Sequence, residues 1–328
     1  MEKRAIGALG LTASEVGLGC MSLTGAYGAA DRGESIATVR RAVDLGVTIF
    51  DTADVYGPFT GERLLGEALA GRRDEVALVT KFGGRELDDD GAVTGGVCGR
   101  PDYVRRSVDR SLRHLGTDRI DLLLQHRVDP AVPVDETFGA VGEMVTAGKI
   151  RYAGISEASA ATVRRAHAAW PLSAVETEYS LFSRDVERNG VLAVVRELGI
   201  GFLAYAPLGR GLLSGAVRSA DQVAGNLRAG FPRFEAGRLE HNVALVERLA
   251  PIAAGLGLTT GQLALAWLLS AAPDVVAVPG TRRAAHLAEN VAAAVRLDQE
   301  TTRAVEAAVP ASAASGGRTS PADGDIQE

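Results

Sequence analysis

The sequence predicts an α/β fold of the (β/α)8 or TIM-barrel class, built as a single domain. Short β-branched or apolar runs alternate with longer segments of helical periodicity, and strict strand–helix alternation means parallel strands. Eight strand candidates fall in this alternation. Eight of them in a chain segment of about 290 residues match the size of a closed eight-stranded barrel. An open doubly wound sheet is the alternative that the same alternation permits.

Glu15–Cys20 is the first strand candidate, and Glu34–Leu45 the first helix, with Ile36, Val39, Ala42 and Val43 on one face. Val47–Asp51 and Val76–Lys81 are the second and third strands. Asp102–Leu115 places Val104, Val108, Leu112 and Leu115 on one face, with Pro101 as a start signal and Gly116 as a stop. Ile120–His126 is the fourth strand and Asp135–Ala147 the helix after it. Ile150–Ser156, Ala174–Glu178 and Gly201–Ala206 are the fifth to seventh strands, separated by helices over Ser159–Ala168 and Asn189–Leu198. Gly209–Gly237 is a long Gly- and Arg-rich connection, expected to be a functional loop. Thr259–Ser270 is helical and Val275–Pro279 is the eighth strand. Residues 1–309 thus form the barrel domain. Residues 310–328 (PASAASGGRTSPADGDIQE) have little to bury and are expected to be a disordered tail.

Composition narrows the function. The chain has 328 residues, 35 Lys+Arg against 41 Asp+Glu, and a formal charge of −6. It is not a basic nucleic-acid binder. The sequence holds no apolar run of about 18 residues, so no spanning helix is expected, and the N-terminus does not read as a signal peptide. Two cysteines, Cys20 and Cys98, cannot frame a disulfide-rich fold and fit a reducing, cytoplasmic location. Only three of the 35 basic residues are lysines: Lys3, Lys81 and Lys149. A lysine kept inside the fold of so Lys-poor a chain is a candidate for work that arginine cannot do.

In barrels of this class the site lies at the C-terminal ends of the strands. Asp51 ends the second strand, Tyr56 follows it in DTADVYG, Lys81 ends the third, and His126 ends the fourth. Singly, each has a bland reading: a turn cap, a half-buried aromatic, a snorkelling lysine, a satisfied histidine. Together they deliver a carboxylate, a phenol, an ammonium and an imidazole to one mouth. A phenol with a pKa near about 10 is a poor acid at neutral pH. A neighbouring ammonium lowers that value, a carboxylate holds the ammonium charged, and the imidazole can bond a substrate oxygen. No metal is expected, because the five histidines show no paired ligand spacing and Asp88–Asp90 reads as a solvated loop tip.

DTADVYG, LVTKFGG and DLLLQHRVD, in this order, resemble the aldo-keto reductase superfamily, and the resemblance runs from about Leu9 to Val295. It implies hydride transfer between a nicotinamide cofactor and a small-molecule carbonyl. Tyr56 would be the general acid/base, Lys81 and Asp51 would tune it, and His126 would orient the carbonyl. It also implies a cofactor site. Met21 and Asp51 contribute at the mouth, and GISEAS places Ser156 and Glu157 at the carboxamide. AVETEYS places Glu176 there too. AYAPLGRGLLSG stacks Tyr205 on the ring and lines the pyrophosphate with Pro207, Leu208, Gly209, Arg210 and Gly211. VPGTRRAAHLAEN puts Gly280, Thr281, Arg282 and His286 near a 2′-phosphate and Glu289 and Asn290 near the adenine. Guanidinium at that phosphate favours NADP(H) over NAD(H).

Three residues depart from the family pattern. Glu176 and Glu157 stand where amides are usual, and Ala206 replaces a common Ser. A carboxylate only accepts hydrogen bonds, so two of them near the ring are expected to favour the oxidised cofactor. A cofactor-sensing regulatory subunit with negligible turnover is the alternative function, and a barrel isomerase or lyase a third. Specificity is expected from the loops Thr24–Arg32, Gly84–Arg100, Arg127–Val132 and Asn226–Arg238, with Tyr27, Phe231 and Phe234 as candidate pocket or packing residues.

Overall fold

The computed structural model describes residues 1–272 and 274–320. Among the described residues there are twelve strands: β1 (Lys3–Ile6), β2 (Leu11–Ser14), β3 (Leu18–Gly19), β4 (Ile49–Asp51), β5 (Ala77–Phe82), β6 (Glu86–Leu87), β7 (Val93–Gly95), β8 (Ile120–Gln125), β9 (Ile150–Ser156), β10 (Leu172–Glu178), β11 (Gly201–Tyr205) and β12 (Val275–Val278). Eight of them pair in the order β3-β4-β5-β8-β9-β10-β11-β12, and every pairing is parallel. Parallel bridges Val16–Ala277 and Gly19–Gly280 bring the two ends of the sheet together. The eight strands are those the sequence pattern predicts, with ends moved by a few residues.

Strands buried on both faces read as continuous apolar runs. Every residue of Ile120–Gln125 is buried. Ile49, Val79, Leu122, Leu124, Ala174, Leu203 and Val276 fill the barrel interior. The opposite faces of the strands pack on the surrounding helices, in a second and larger core. Pro101 starts the helix Pro101–Leu115, and Gly116, at φ 61°, ends it, where a side chain would be strained.

Two hairpins were not legible in the strand–helix alternation. β1 and β2 pair antiparallel, and Ile6, Leu11 and Ala13 join the interior cluster. Ala8 N donates to Gly199 O at 2.8 Å, so this hairpin covers the N-terminal end of the barrel. β6 and β7 form a second hairpin beyond β5. Asp88 closes its turn by accepting from Asp90 N and Ala92 N.

The expectation of a disordered tail is corrected over 310–320. Ser315 N donates to Asn242 Oδ1 at 2.8 Å, and Asn242 Nδ2 returns a bond to Ser315 O at 2.9 Å. Arg233 Nε bonds Gly316 O, and the Arg318 guanidinium is 7% exposed. Composition registers how little apolar surface this segment buries; backbone hydrogen bonds and one buried cation hold it instead. Residues 321–328 of the expected tail lie outside the described residues. The connection Gly209–Gly237 is a chain of 3-10 turns at Gly209–Gly211, Ala220–Gln222, Leu227–Gly230 and Pro232–Phe234. No single helix among the described residues is long and apolar enough to cross a membrane.

Candidate active site

A cavity of about 1100 Å3 opens at the C-terminal ends of the barrel strands. That is at or above the upper end for sites taking one small ligand, which run to about 1000 Å3. Asp51, Tyr56, Lys81 and His126 all line it. Their positions follow from the strands. Asp51 is the last residue of β4, and Lys81 points inward from β5, 1% exposed. The Lys81 ammonium donates to Asp51 Oδ1 and to Thr52 O. Glu176 Oε2, from β10, is 3.3 Å from the same nitrogen. One ammonium therefore faces two buried carboxyl groups.

The turn after β4 holds Tyr56 in place. Thr52 N and Asp54 N donate to Val79 O and Lys81 O, at 2.9 and 3.2 Å, extending the strand pairing into the turn. Phe59 closes the turn at φ 63°, a strained region for an aromatic residue. His114 stacks on its ring at 4.4 Å, and the Arg110 guanidinium lies over it at 4.7 Å. The Lys81 nitrogen is 5.4 Å from the centre of the Tyr56 ring. The Tyr56 and His126 rings meet edge to face, 5.9 Å apart. His126 N donates to Phe82 O at 2.8 Å. Gly84 leaves room for the imidazole, since a Cβ there would lie 2.7 Å from His126 Nδ1.

Burial dominates the electrostatics. It pushes the Tyr56 phenol up, and Asp51 and Glu176 add to the rise, while Lys81 pulls down without prevailing. The expected net lowering of the phenol is thus corrected: the resting side chain is a neutral O–H. Burial works against the Lys81 charge, but the adjoining Asp51 carboxylate outweighs it and holds the ammonium protonated. Burial, then Arg127 and Lys81, keep His126 neutral, far below its usual value. Burial raises Asp51 against the pull of Lys81. Burial and the Asp51 charge, opposed by Lys81, push Glu176 up to about 8.

Met21, Ser156, Glu176, Tyr205, Pro207, Leu208, Arg210 and Gly211 line the same cavity, as do Gly280, Thr281, Arg282, His286, Glu289 and Asn290. Two of the expected residues do not. Gly209 is buried beneath the 3-10 turn it starts. Glu157 is turned away, because its backbone has φ 51°. Its carboxylate accepts a two-pronged bond from Arg318, at 2.9 and 2.7 Å, and another from Glu178 N at 3.0 Å. The expectation that Glu157 faces the ring is therefore corrected. Arg210 lines the cavity but ion-pairs with Glu178. Arg282 donates to Tyr27 O and Gly28 O. Tyr27 and Phe231 line the cavity, whereas Phe234 belongs to the core.

Several lining residues were not singled out from the sequence: Ser22, Arg85, Arg127, Ser214, Arg228 and Gln262. Arg228 lies over the Tyr27 ring at 4.5 Å and donates to Arg210 O at 2.7 Å. The Arg-rich composition of Gly209–Gly237 was a signal for it. Arg127 directly follows His126 in DLLLQHRVD.

Residues 15–310 match the sequence profile of the Aldo/keto reductase family. Probable aldo-keto reductase 1 of Glycine max is 40% identical over 316 residues, covering 95% of this chain and 90% of that protein. Among solved structures, the glycerol dehydrogenase AKR11B4 from Gluconobacter oxydans has a TM-score of 0.83 and 27% identity, over 93% of this chain and 94% of that one. An aldo/keto reductase from Klebsiella pneumoniae, in complex with NADP and acetate, has a TM-score of 0.72 and 26% identity, over 95% and 96%. The profile spans the turn that carries Tyr56, the strands that deliver Asp51, Lys81 and His126, and the closing segment after β12, so the chain belongs to the aldo-keto reductase family.

Proposed function

We propose that the protein is an NADP(H)-dependent oxidoreductase that interconverts an aldehyde or ketone with its alcohol. The observation that carries this reading is the buried Lys81 ammonium held between Asp51 and Glu176, beside a neutral Tyr56 phenol and a neutral His126. Such a group keeps its proton until an oxygen within reach gains negative charge, and then gives it up with an ammonium behind it.

The residues fit a phosphorylated dinucleotide. Arg228, Arg282 and Arg283 line the cavity, and none has a carboxylate partner among the described residues. Ser22 Oγ is buried at the cavity without a hydrogen-bond partner among the described residues. Arg228 and Arg282 suit the pyrophosphate and a 2′-phosphate, Tyr205 the nicotinamide ring, and Ser156 with Glu176 its carboxamide. The bound cofactor supplies the hydride. Tyr56 holds and moves the proton at its hydroxyl oxygen, the Lys81–Asp51 pair stabilises the phenolate left behind, and the His126 imidazole orients the carbonyl oxygen. Both cysteines are buried and unpaired, which suits a reducing cytoplasm.

Tyr56→Phe tests the assignment. Reduction of 4-methylbenzaldehyde, followed by NADPH absorbance, should fall by about a hundredfold or more. Quenching of NADPH fluorescence on binding should stay as in the parent. Undiminished turnover removes Tyr56 from the acid role. Cofactor binding by the parent without turnover of any aldehyde reassigns the protein as a cofactor-binding subunit.

A further inference from the structure

We propose that the carbonyl substrate carries an anionic group at its far end, gripped by Arg85 and Arg127; this deepens the reductase reading and rests on it. Seven cationic side chains line the cavity, including six arginines, against the three carboxyl groups of Asp51, Glu176 and Glu289. The chain as a whole carries −6, so the positive charge is concentrated at this mouth. Of the six arginines, only Arg210 is paired with a carboxylate among the described residues.

The other five fall into two groups. Arg228, Arg282 and Arg283 come from the connections after β11 and β12. Arg85 and Arg127 come from those after β5 and β8. The sheet order sets these two pairs of strands on opposite sides of the barrel. A dinucleotide phosphate held by the first group therefore leaves the second group unanswered. Nearby acids do not answer it either. Glu86 is committed to Arg100 at 2.5 Å, and Asp129 accepts from Gly99 N and Ala131 N. Arg127 is half-buried, and among the described residues its guanidinium donates only to His126 O, at 2.7 Å. A partly desolvated cation with donors to spare is costly unless an anion meets it. Arg127 follows His126 directly and lines the same cavity, which sets it next to the imidazole proposed to orient the carbonyl.

The same cavity also has an apolar lining from the connection that carries Arg85. Leu87, Val93 and Val97 line it from the hairpin loop, and Val93 and Val97 are more than a third exposed. The arrangement fits an apolar body bearing the carbonyl at one end and a carboxylate or phosphate at the other, the guanidinium fork bonding two oxygens of the anion.

Matched substrates test this with the intact enzyme and NADPH. The ratio of kcat/KM for 4-carboxybenzaldehyde over 4-methylbenzaldehyde should be about tenfold to a hundredfold, the usual worth of a hydrogen bond to a charged group. A parallel ratio for glyceraldehyde 3-phosphate over glyceraldehyde tells whether the phosphate or the carboxylate is preferred. The preference should fall as salt rises from about 0.05 to about 0.5 M. Arg127→Gln and Arg85→Gln should each pull the preferred ratio toward one through KM for the acid, and Arg127→Lys should restore part of it. Ratios at or below one for both pairs, with the neutral aldehyde reduced, overturn the proposal and leave the reductase reading standing. Failure to reduce any of the four overturns both.

Discussion

Replacing Glu176 with Gln tests the electrostatics at the centre of the site. In the unfolded chain a Glu titrates near 4.5, and in the fold burial and Asp51 push Glu176 up to about 8. Between these values the folded protein holds a proton that the unfolded chain has released. The contribution of Glu176 to stability is therefore greatest below about pH 4.5 and falls as pH rises, by about 1.4 kcal/mol for each pH unit, until it levels near pH 8. Over the whole window the loss is on the order of 5 kcal/mol. The amide does not titrate. The stability of the parent minus that of Glu176→Gln should decline across this window and be flat above about pH 9. Urea unfolding of both proteins at several pH values measures it. Parallel curves from pH 5 to 9 would refute the reasoning. The same proton alters the expected cofactor preference. A protonated Glu176 offers one O–H donor and one carbonyl acceptor, much as an amide does. Glu176→Gln should then leave the ratio of NADPH to NADP+ affinity almost unchanged at pH 6.5. At pH 9 the parent should favour NADP+ and the variant should not.

Arg318→Met leaves the buried Glu157 carboxylate without its guanidinium partner and should cost about 3–5 kcal/mol; the shift in urea midpoint measures it, and an unchanged midpoint refutes the tail contact. Gly84→Ala puts a methyl carbon 2.7 Å from His126 Nδ1, so kcat should fall by about tenfold or more while NADPH affinity holds. Lys81→Arg keeps the charge but must fit a larger planar group into a fully buried slot between Asp51, Thr52 and Glu176. Turnover should be mostly lost, and an active Lys81→Arg variant would count against a specific role for the ammonium.

The barrel and its four central residues were legible because each depends on a short-range pattern. A strand buried on both faces must be apolar, so a charged or polar residue at its end stands out, as Asp51, Lys81 and His126 do. The first hairpin shows a period-2 signal only in Leu11–Ser14; in Lys3–Ile6 one of the two inward residues is Arg4, buried against Glu15, so residue type hides the strand. The direction of Glu157 was not legible. Its position after a strand end suggests the mouth, yet a backbone at φ 51° turns the side chain toward Arg318, 161 residues away in sequence. The net rise of the Tyr56 phenol was hidden for a related reason: spacing gives the charges around a group, not how much water is removed from it.

The barrel is closed by a narrow seam. β3 has two residues, and its side of the barrel meets the β12 side through Gly17 N to Ala277 O at 2.8 Å and Gly19 N to Pro279 O at 3.1 Å. Met21 lies just past one lip of this seam and Gly280 on the other, and both face the cavity. A ligand touching both at once bridges the seam, so binding and closure are linked: whatever the closed ring adds to the affinity, the ligand adds to the stability of the closed ring. The amides of Gly17 and Gly19 are thus natural reporters: the rate at which they exchange with solvent deuterons should report any opening of the seam, and an occupant that bridges it should slow that exchange.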